Sequence, residues 1–423
     1  RRGDDVWTNY SAATTDDDGS PPFTGLVGDN VQAVVADGDR VWVGSAEAVW
    51  NGQRRGYDDG GVSVFDGEKW TARTVASTGG TEAGLRSGGV AALAVGCDGA
   101  LWIGSGTSWT DGAGVDVLVA RSAPHDPAQD AWGRFAFPDL ASDEVAAMAA
   151  DCAGAAMWVG SRDHSLKGDW SDGGLARFAA ATGAWSRFDA ADGLESYSAG
   201  RIRGEALSVA VAPGGGVWVG SFGTRRMTQE ELIATAPYWP AVVNRFTGDR
   251  WSHTIFEDLG RVGSVAVAAD GTVWAAATRG GAARDSVDPE NWRSDRRLPG
   301  VLLLAEDGVW RGLDEHTGGL PANDVSVVAV DPEGGVWVGT EGWGLGVYRP
   351  GEAPSTATPT TDAPSPTPSP PATLAPSPGT SATPGGTPTA TAVGPGATAT
   401  ATGPRPTPAY RIFLPAAYVS GGA

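Results

Sequence analysis

The 423-residue sequence is poor in lysine, histidine and cysteine, and it has no long apolar run. Lys69 and Lys167 are its only lysines, so arginine supplies nearly all positive charge, and the formal net charge is −20. An acidic surface repels phosphate groups, so neither nucleic acid nor an anionic membrane surface is an expected partner. No apolar stretch approaches the ~20 residues of a membrane helix, so no membrane span is expected.

Motifs for catalysis and metal binding are scarce as well. The chain has four histidines, which share no motif with Ser, Asp or Glu: His125, His164, His253 and His316. The acidic turns Asp16 to Ser20 and Asp58 to Gly60 offer oxygen ligands for calcium, but neither matches a twelve-residue loop ending in Glu. No Cys/His pattern indicates zinc. We therefore predict no catalytic residue, no metal site and no cofactor, with calcium left open.

What the sequence does contain is a sixfold repeat. The stretch Val41-Trp42-Val43-Gly44-Ser45 returns five more times at a nearly constant spacing. Ahead of each copy lies a short apolar run closed by a turn, such as Asp37-Gly38, Asp98-Gly99 or Asp270-Gly271. A fixed period of this length indicates a repeat architecture.

All 18 tryptophans fit the repeat, in three sets of six. The signature set is Trp42, Trp102, Trp158, Trp218, Trp274 and Trp337. A second set occupies a later segment of each repeat: Trp7, Trp70, Trp132, Trp185, Trp251 and Trp310. The third set lies in the polar stretch after each signature: Trp50, Trp109, Trp170, Trp239, Trp292 and Trp343.

Each repeat is predicted to form four antiparallel strands, called a to d. In the first repeat they are expected at Val31–Ala36, at Val41–Gly44, at Gly61–Phe65 and around Trp70. Strands a and b are nearly continuous apolar runs and should be buried on both faces, whereas c and d should alternate. The b–c connections are the long ones, and they emerge on the same face as the d-to-a crossovers.

Trp7 indicates how the repeats are arranged. The sixth repeat ends at Pro350 without a strand d, and the segment around Trp7 supplies that strand from the other end of the chain. Splitting one repeat in this way closes a ring and serves no purpose in a linear solenoid. The predicted fold class is all-β, a six-bladed β-propeller closed by an N-terminal strand.

The repeats resemble those of the two-component-regulator propeller family, which combine an apolar strand, an Asp/Gly turn, Leu-Trp-Ile-Gly-Thr and Gly-Leu. The sixth repeat matches best, with Gly319-Leu320-Pro321, Asn323-Asp324-Val325, Val336 to Thr340 and Gly344-Leu345. The fifth departs at Ala275-Ala276-Ala277. The resemblance implies a propeller, often an extracytoplasmic sensor for carbohydrate-derived ligands. No membrane helix or kinase domain follows here, so a signalling role is not expected.

Composition divides the chain into three parts. Residues 1–350 hold the repeats, 351–408 are rich in Pro, Thr, Ser and Ala, and 409–423 form a β-prone tail. The middle part is expected to be a semi-rigid linker, open to O-glycosylation, that reaches on the order of 170 Å at ~3.1 Å per residue. The tail, weakly similar to terminal tails of bacterial secreted proteins, is predicted to add to an exposed sheet edge through Tyr410, Ile412, Phe413, Leu414, Tyr418 and Val419.

The two cysteines favour an exported protein. Cys97 and Cys152 occupy the same a–b turn of neighbouring repeats, so a disulfide between blades is predicted. The chain begins with Arg1-Arg2 and has no leader starting at Met, as expected of a mature exported product. The predicted location is extracellular or on a bacterial surface.

Three functions remain open at this point. The leading hypothesis is a non-enzymatic structural or interaction protein that self-associates through its tail. The first alternative is a glycan- or small-ligand-binding module on a stalk, whose ligand face is the third tryptophan set; packing of each Trp within its own loop is the competing interpretation. The second is a propeller lactonase or lyase using acids of the d-to-a loops, namely Asp143, Glu144, Glu205, Asn323 and Asp324.

Overall fold

The computed structural model describes most of the repeat region. The described residues are 10–12, 25–46, 49–50, 55–56, 60–106, 113–119, 130–162, 173–195, 197–198, 201–202, 205–222, 241–256, 259, 261–278, 300–304, 308–314, 319–323, 325–340 and 344–349. Trp7, the linker and the C-terminal tail lie outside these ranges, so the domain boundaries at 350 and 408 stay predictions.

The first three blades each contain four antiparallel strands in the order a, b, c, d. Blade 1 consists of β1 (Val31–Asp37), β2 (Arg40–Ser45), β5 (Gly61–Phe65) and β6 (Trp70–Thr74), with a hairpin of β3 (Val49–Trp50) and β4 (Arg55–Gly56) inside its b–c connection. Blade 2 consists of β7 (Val90–Val95), β8 (Leu101–Ser105), β9 (Gly114–Val119) and β10 (Ala131–Phe135). Blade 3 consists of β11 (Val145–Asp151), β12 (Ala156–Ser161), β13 (Gly174–Ala179) and β14 (Ala184–Phe188).

The last three blades continue the pattern after a short hairpin of β15 (Tyr197–Ser198) and β16 (Arg201–Ile202). Blade 4 consists of β17 (Ser208–Val211), β18 (Val217–Phe222), β19 (Ala241–Thr247) and β20 (Arg250–Phe256). Blade 5 consists of β21 (Arg261–Val267), β22 (Val273–Thr278), β23 (Val301–Leu304) and β24 (Trp310–Leu313). Blade 6 has three described strands, β25 (Val325–Val330), β26 (Val336–Thr340) and β27 (Gly344–Tyr348). The molecule is therefore an all-β, six-bladed β-propeller, as predicted.

One expectation about burial is wrong. Strands c were predicted to alternate between buried and exposed residues, but β5 and β9 are buried over four and five successive residues. The reason is that a c strand is covered by a neighbouring blade on each face, so both of its faces are apolar. Strands d fit better, since β14 and β20 alternate between half-buried and exposed residues along most of their length.

The blades are joined by apolar layers. Each of the five joints from blade 1 to blade 6 has its own cluster of buried side chains, and the signature tryptophans of the first five blades lie in these clusters. The signature glycine permits the close approach. A Cβ on Gly44 would lie 2.5 Å from Val90 Cγ1 of the next blade, and one on Gly104 would lie 2.5 Å from Val145 Cγ1. A larger residue at either position would push the blades apart.

Tyr10 supports closure of the ring. In blade 2, Phe135 of strand d packs on Phe178 and Trp185 of blade 3, with ring centroids 5.3 and 4.9 Å apart. Tyr10 contacts Phe65 and Trp70 of blade 1 in the same way, at 5.5 and 5.4 Å. Tyr10 therefore takes the place that a strand d of blade 6 would give it, three residues after Trp7.

Buried polar residues on strands c hold the crossovers from the preceding blade. Ser63 Oγ accepts a hydrogen bond from the Val27 backbone N–H at 2.9 Å. In blade 4 the Asn244 amide bonds both the N–H and the carbonyl of Glu195, at 2.8 and 2.9 Å. In blade 2, Asp116 accepts from the backbone N–H of Arg86 at 2.9 Å and from its Nε at 2.6 Å. The crossovers are thus fixed to the strands they pass.

The predicted disulfide is present. Cys97 and Cys152 lie in the a–b turns of blades 2 and 3, with their Cα atoms 5.4 Å apart, and the bond links neighbouring blades. Both cysteines are exposed. The described part of the chain contains no helix with the length and hydrophobicity that a bilayer crossing requires.

Candidate functional site

The third tryptophan set can be placed only at one position. Trp50 is in β3, where it pairs with Arg55 of β4 in the b–c connection of blade 1. The other members lie outside the described residues: Trp109, Trp170, Trp239, Trp292 and Trp343. The tail residues Tyr410, Ile412, Phe413, Leu414, Tyr418 and Val419 also lie outside them. Both predicted surfaces therefore stay predictions.

The structure brings together two of the crossover acids. Glu144 directly precedes β11, Glu205 lies just before β17, and both are more than nine-tenths buried. Burial raises the pKa of Glu144 to about 7, while the charge of Arg162 lowers it and the carboxylate of Glu205 raises it. Asp143 has a structural contact instead, since its Oδ1 accepts the Phe137 N–H at 2.6 Å. Asp324 lies outside the described residues.

Few residues with metal-binding or acid–base chemistry are described. Within the described ranges no group of three or more His, Cys, Asp and Glu side chains could hold a metal ion. His253 lies exposed on β20, and the other three histidines are outside these ranges. The acidic turn at Asp16 to Ser20 and the residues Asp58 and Asp59 are outside them too.

The buried Glu144 predicts a pH-dependent stability. Its pKa is about 7 in the folded protein against an ordinary value of 4.5, so its stabilising effect is complete below pH 4.5 and is lost as pH rises through 7. Glu144→Gln should remove this dependence. Relative to wild type, the variant should gain about 3 kcal/mol of unfolding free energy between pH 4 and pH 8.

Urea denaturation at both pH values measures this difference. Glu333→Gln, at an exposed position of the blade 6 turn, is the matched control and should leave the pH dependence unchanged. If the curves of wild type and Glu144→Gln run parallel over this pH range, Glu144 is ionised in the folded protein and the interpretation is wrong.

A groove lies between blades 3 and 4. Its volume is about 760 Å³. Aromatic side chains of both blades form its apolar wall: Trp158, Phe188, Phe246 and Trp251. The Gly214–Gly216 turn and the Thr247–Asp249 turn of blade 4 border it.

Charged side chains of both signs line the groove. Asp151, Asp192 and Asp249 contribute three carboxylates, and Arg177 and Arg245 contribute two guanidinium groups. Both arginines stack on signature tryptophans, Arg177 at 5.7 Å from the Trp158 ring and Arg245 at 5.1 Å from the Trp218 ring. The groove therefore presents charged groups of both signs beside its apolar wall.

Strand β20 forms one border of this groove. Trp251 packs against Phe246 at 4.9 Å and Phe188 at 6.0 Å, toward blade 3. Side chains alternate along a strand, so His253 and Ile255 lie on the same face as Trp251. Ile255 is 40% exposed. This surface was not predicted from the sequence, although one signal was present: only in blades 3 and 4 does an arginine pair with the signature tryptophan across strands b and c.

Blade number, strand order and one repeat match define the class of protein. Residues 319–342 match the family model described as two component regulator propeller. The chain is a six-bladed β-propeller that carries a repeat of this family. No curated protein sequence matches the chain significantly.

Several solved structures align with this chain at low sequence identity. The extracellular domain of a one-component system from B. thetaiotaomicron aligns at 13% identity and a TM-score of 0.45, over 76% of this chain and 38% of that one. PorZ, a surface component of the type-IX secretion system of Porphyromonas gingivalis, aligns at 14% identity and a TM-score of 0.45, over 78% and 41%. A gluconolactonase from Xanthomonas campestris aligns at 13% and 0.38, over 73% and 89%. The chain spans about two fifths of the length of the first two proteins.

Proposed function

We propose that this protein is a non-enzymatic structural or interaction protein of the extracellular space or a bacterial surface, and that its C-terminal strand docks on a neighbouring copy. The observation that carries the proposal is the set of outer strands β6, β10, β14, β20 and β24. Each pairs with one strand only among the described residues. A strand edge of this kind offers unpaired N–H and C=O groups to an extended peptide.

The tail has the properties of such a peptide. Tyr410, Ile412 and Leu414 share one face of an extended strand and Arg411 and Phe413 share the other, so the segment is β-prone and carries apolar side chains on both faces. A segment this short has no stable fold alone and gains stability by joining an existing sheet. Docking from one copy onto the next is a heterologous contact, which builds open chains when its rotation does not close a ring. The Cys97–Cys152 disulfide supports an oxidising location.

Removing the tail tests this function. The full chain is expected to form filaments or large oligomers, and a chain ending at Pro350 should be a monomer by light scattering and electron microscopy. A chain ending at Ala409 keeps the linker and is the matched control, which should also be monomeric. An equal number of subunits per particle for the full chain and the Pro350 variant would contradict the proposal.

A second candidate function is binding of a glycan or small ligand on the face of the b–c loops. It is supported by the β3–β4 hairpin, which gives the Trp50 loop a defined backbone in which Trp50 pairs with Arg55. Aromatic side chains in such loops can stack on sugar rings. Trp50→Ala should then weaken binding in a glycan array, with Val309→Ala, at a 52% exposed position of the c–d turn of blade 5, as the control that leaves binding intact.

A further inference from the structure

We propose that the ring opens reversibly at the joint between blades 3 and 4 when the pH rises above neutrality, and that Glu144 and Glu205 form the pair of groups that controls this opening. The inference goes beyond the proposed function, because it concerns the propeller and not the tail. It joins two features of one joint. A buried pair of carboxyl groups lies at its crossover end, and the groove lies beside its a–b and c–d turns.

Backbone hydrogen bonds hold the two glutamates at the same strand end. The Arg162 N–H donates to the Glu144 carbonyl at 2.8 Å. The N–H of Ala206, the residue after Glu205, donates to the Ser161 carbonyl at 3.1 Å. Because Ser161 and Arg162 are consecutive residues, both glutamates flank the end of β12. They are 5% and 7% exposed, so this joint contains two carboxyl groups that water hardly reaches.

The surroundings of Glu144 favour its neutral form up to about neutral pH. Burial raises its pKa to about 7, the charge of Arg162 lowers the pKa, and the carboxylate of Glu205 raises it. On the side of blade 2 its stem packs at Gly106, where a Cβ would lie 2.9 Å from Glu144 Cγ, and glycine brings no charge. Asp143 is already bonded to a backbone N–H of the same crossover. Above pH 7 Glu144 ionises, and two buried like charges then repel each other in this joint.

The acid pair is specific to this joint. The strand registers place Asn30, Gly89 and Arg261 of blades 1, 2 and 5 at the position that Glu144 and Glu205 occupy in blades 3 and 4. In blade 6 the sequence has an acid at this position, but its neighbours in ring order are Arg261 and Asn30. Of the six positions, those of blades 3 and 4 are therefore the two adjacent ones that both carry an acid.

The other described joints each have a link between their two blades. A buried ion pair joins blades 1 and 2, and the disulfide joins blades 2 and 3. Strand β18 pairs with β21 between blades 4 and 5. Between blades 5 and 6, Ser264 Oγ donates to the Val328 carbonyl and accepts its N–H, both at 3.2 Å. In the joint between blades 3 and 4, like charges act at one end and the groove of about 760 Å³ interrupts the packing at the other. This joint is therefore expected to open first.

Opening would expose an apolar surface that the closed ring hides. The cluster in this joint contains Trp158, Leu175 and Val219, which are 2%, 0% and 0% exposed. A local opening separates one such cluster while the rest of the molecule stays folded. The propeller would thus present this apolar surface more often above neutral pH than below it.

Native-state hydrogen exchange of the full chain, resolved to single residues and corrected for intrinsic exchange, tests the inference. The Ala206 N–H reports on this joint, and the Val328 N–H reports on the joint between blades 5 and 6. A pKa of about 7 in the closed joint against 4.5 in the open one makes opening about tenfold more frequent at pH 8 than at pH 6. Ala206 should lose protection by that factor, should be less protected than Val328, and should respond little to low urea, as local openings do.

Three variants identify the group that controls the opening. Glu144→Gln should remove the pH dependence of Ala206 exchange. Glu205→Gln takes away the like charge, so it should lower the pKa of Glu144 and reduce the pH dependence without abolishing it. Glu195→Gln lies in the same crossover into blade 4 and is the matched control, which should exchange like wild type. Cooperative urea unfolding at pH 5 confirms that each variant folds.

The outcomes that would overturn the inference are distinct. Equal protection of Ala206 and Val328 at pH 8, with the same urea dependence, would mean that the ring opens only by global unfolding. A tenfold pH effect that persists in Glu144→Gln would assign the control to another group, and one that persists in full in Glu205→Gln would show that the two acids do not act as a pair. None of these results depends on whether the tail mediates self-association, so the proposed function is tested separately by the Pro350 truncation.

Discussion

Arg73→Ala is expected to lower the free energy of unfolding by about 3–5 kcal/mol. Arg73 in β6 of blade 1 and Asp130 next to β10 of blade 2 form an ion pair, with Nε and Oδ2 2.6 Å apart and side chains 0% and 2% exposed. The guanidinium also lies 5.4 Å from the Trp42 ring. Alanine would leave the Asp130 carboxylate buried without its cation, and that desolvated charge is the source of the loss.

Urea denaturation measures the loss of unfolding free energy, and two further variants serve as controls. Arg73→Met combined with Asp130→Leu removes both charges and should cost much less than the single substitution. Arg250→Ala removes an exposed partner of Asp249, 3.9 Å away, and should have no measurable effect. A loss below ~1 kcal/mol for Arg73→Ala would mean that Asp130 is reached by water.

Replacing Cys97 and Cys152 together by serine should lower the unfolding free energy by about 4 kcal/mol. The disulfide closes a loop with a sequence separation of 55, and the loss of loop-closure entropy in the unfolded chain stabilises the folded state. Both cysteines are exposed, so serine removes little packing and the effect isolates the cross-link.

Reduction provides the control for this prediction. A reducing agent should lower the urea midpoint of the wild type to that of the double serine variant and leave the variant itself unchanged. Equal midpoints for oxidised wild type and variant would show that the joint between blades 2 and 3 is held by packing alone.

The fold could be predicted because each repeat carries the same local rules. In strand b, Trp42 and its equivalents pack in the apolar layer between two blades. The glycine two residues later permits close contact with the next blade. The strand d tryptophans that are described, such as Trp70 and Trp185, lie where the repeat predicted them. The burial of strands c was mispredicted, because their second face is covered by a blade that is distant in sequence.

The site was less predictable for the same physical reason. The groove depends on Trp158 and Trp251, which belong to different blades and come together only when the ring forms. The proximity of Glu144 and Glu205 likewise depends on the order of blades around the axis. The sequence showed that the crossovers contain acidic residues. It did not show which of these residues lie close together, because the separation of two residues along a long connection does not determine their distance in space.

The contact of each signature glycine has an evolutionary consequence. Gly44 meets Val90, Gly104 meets Val145, and Gly220 meets Val262, so the joints between blades 1 and 2, 2 and 3, and 4 and 5 use the same pair of residue types. Blades that meet through the same pair of residue types can replace one another in the ring. Duplication of a repeat flanked by joints of this type would preserve the glycine–valine contact at the new joint, so the number of blades can change without redesign of that contact.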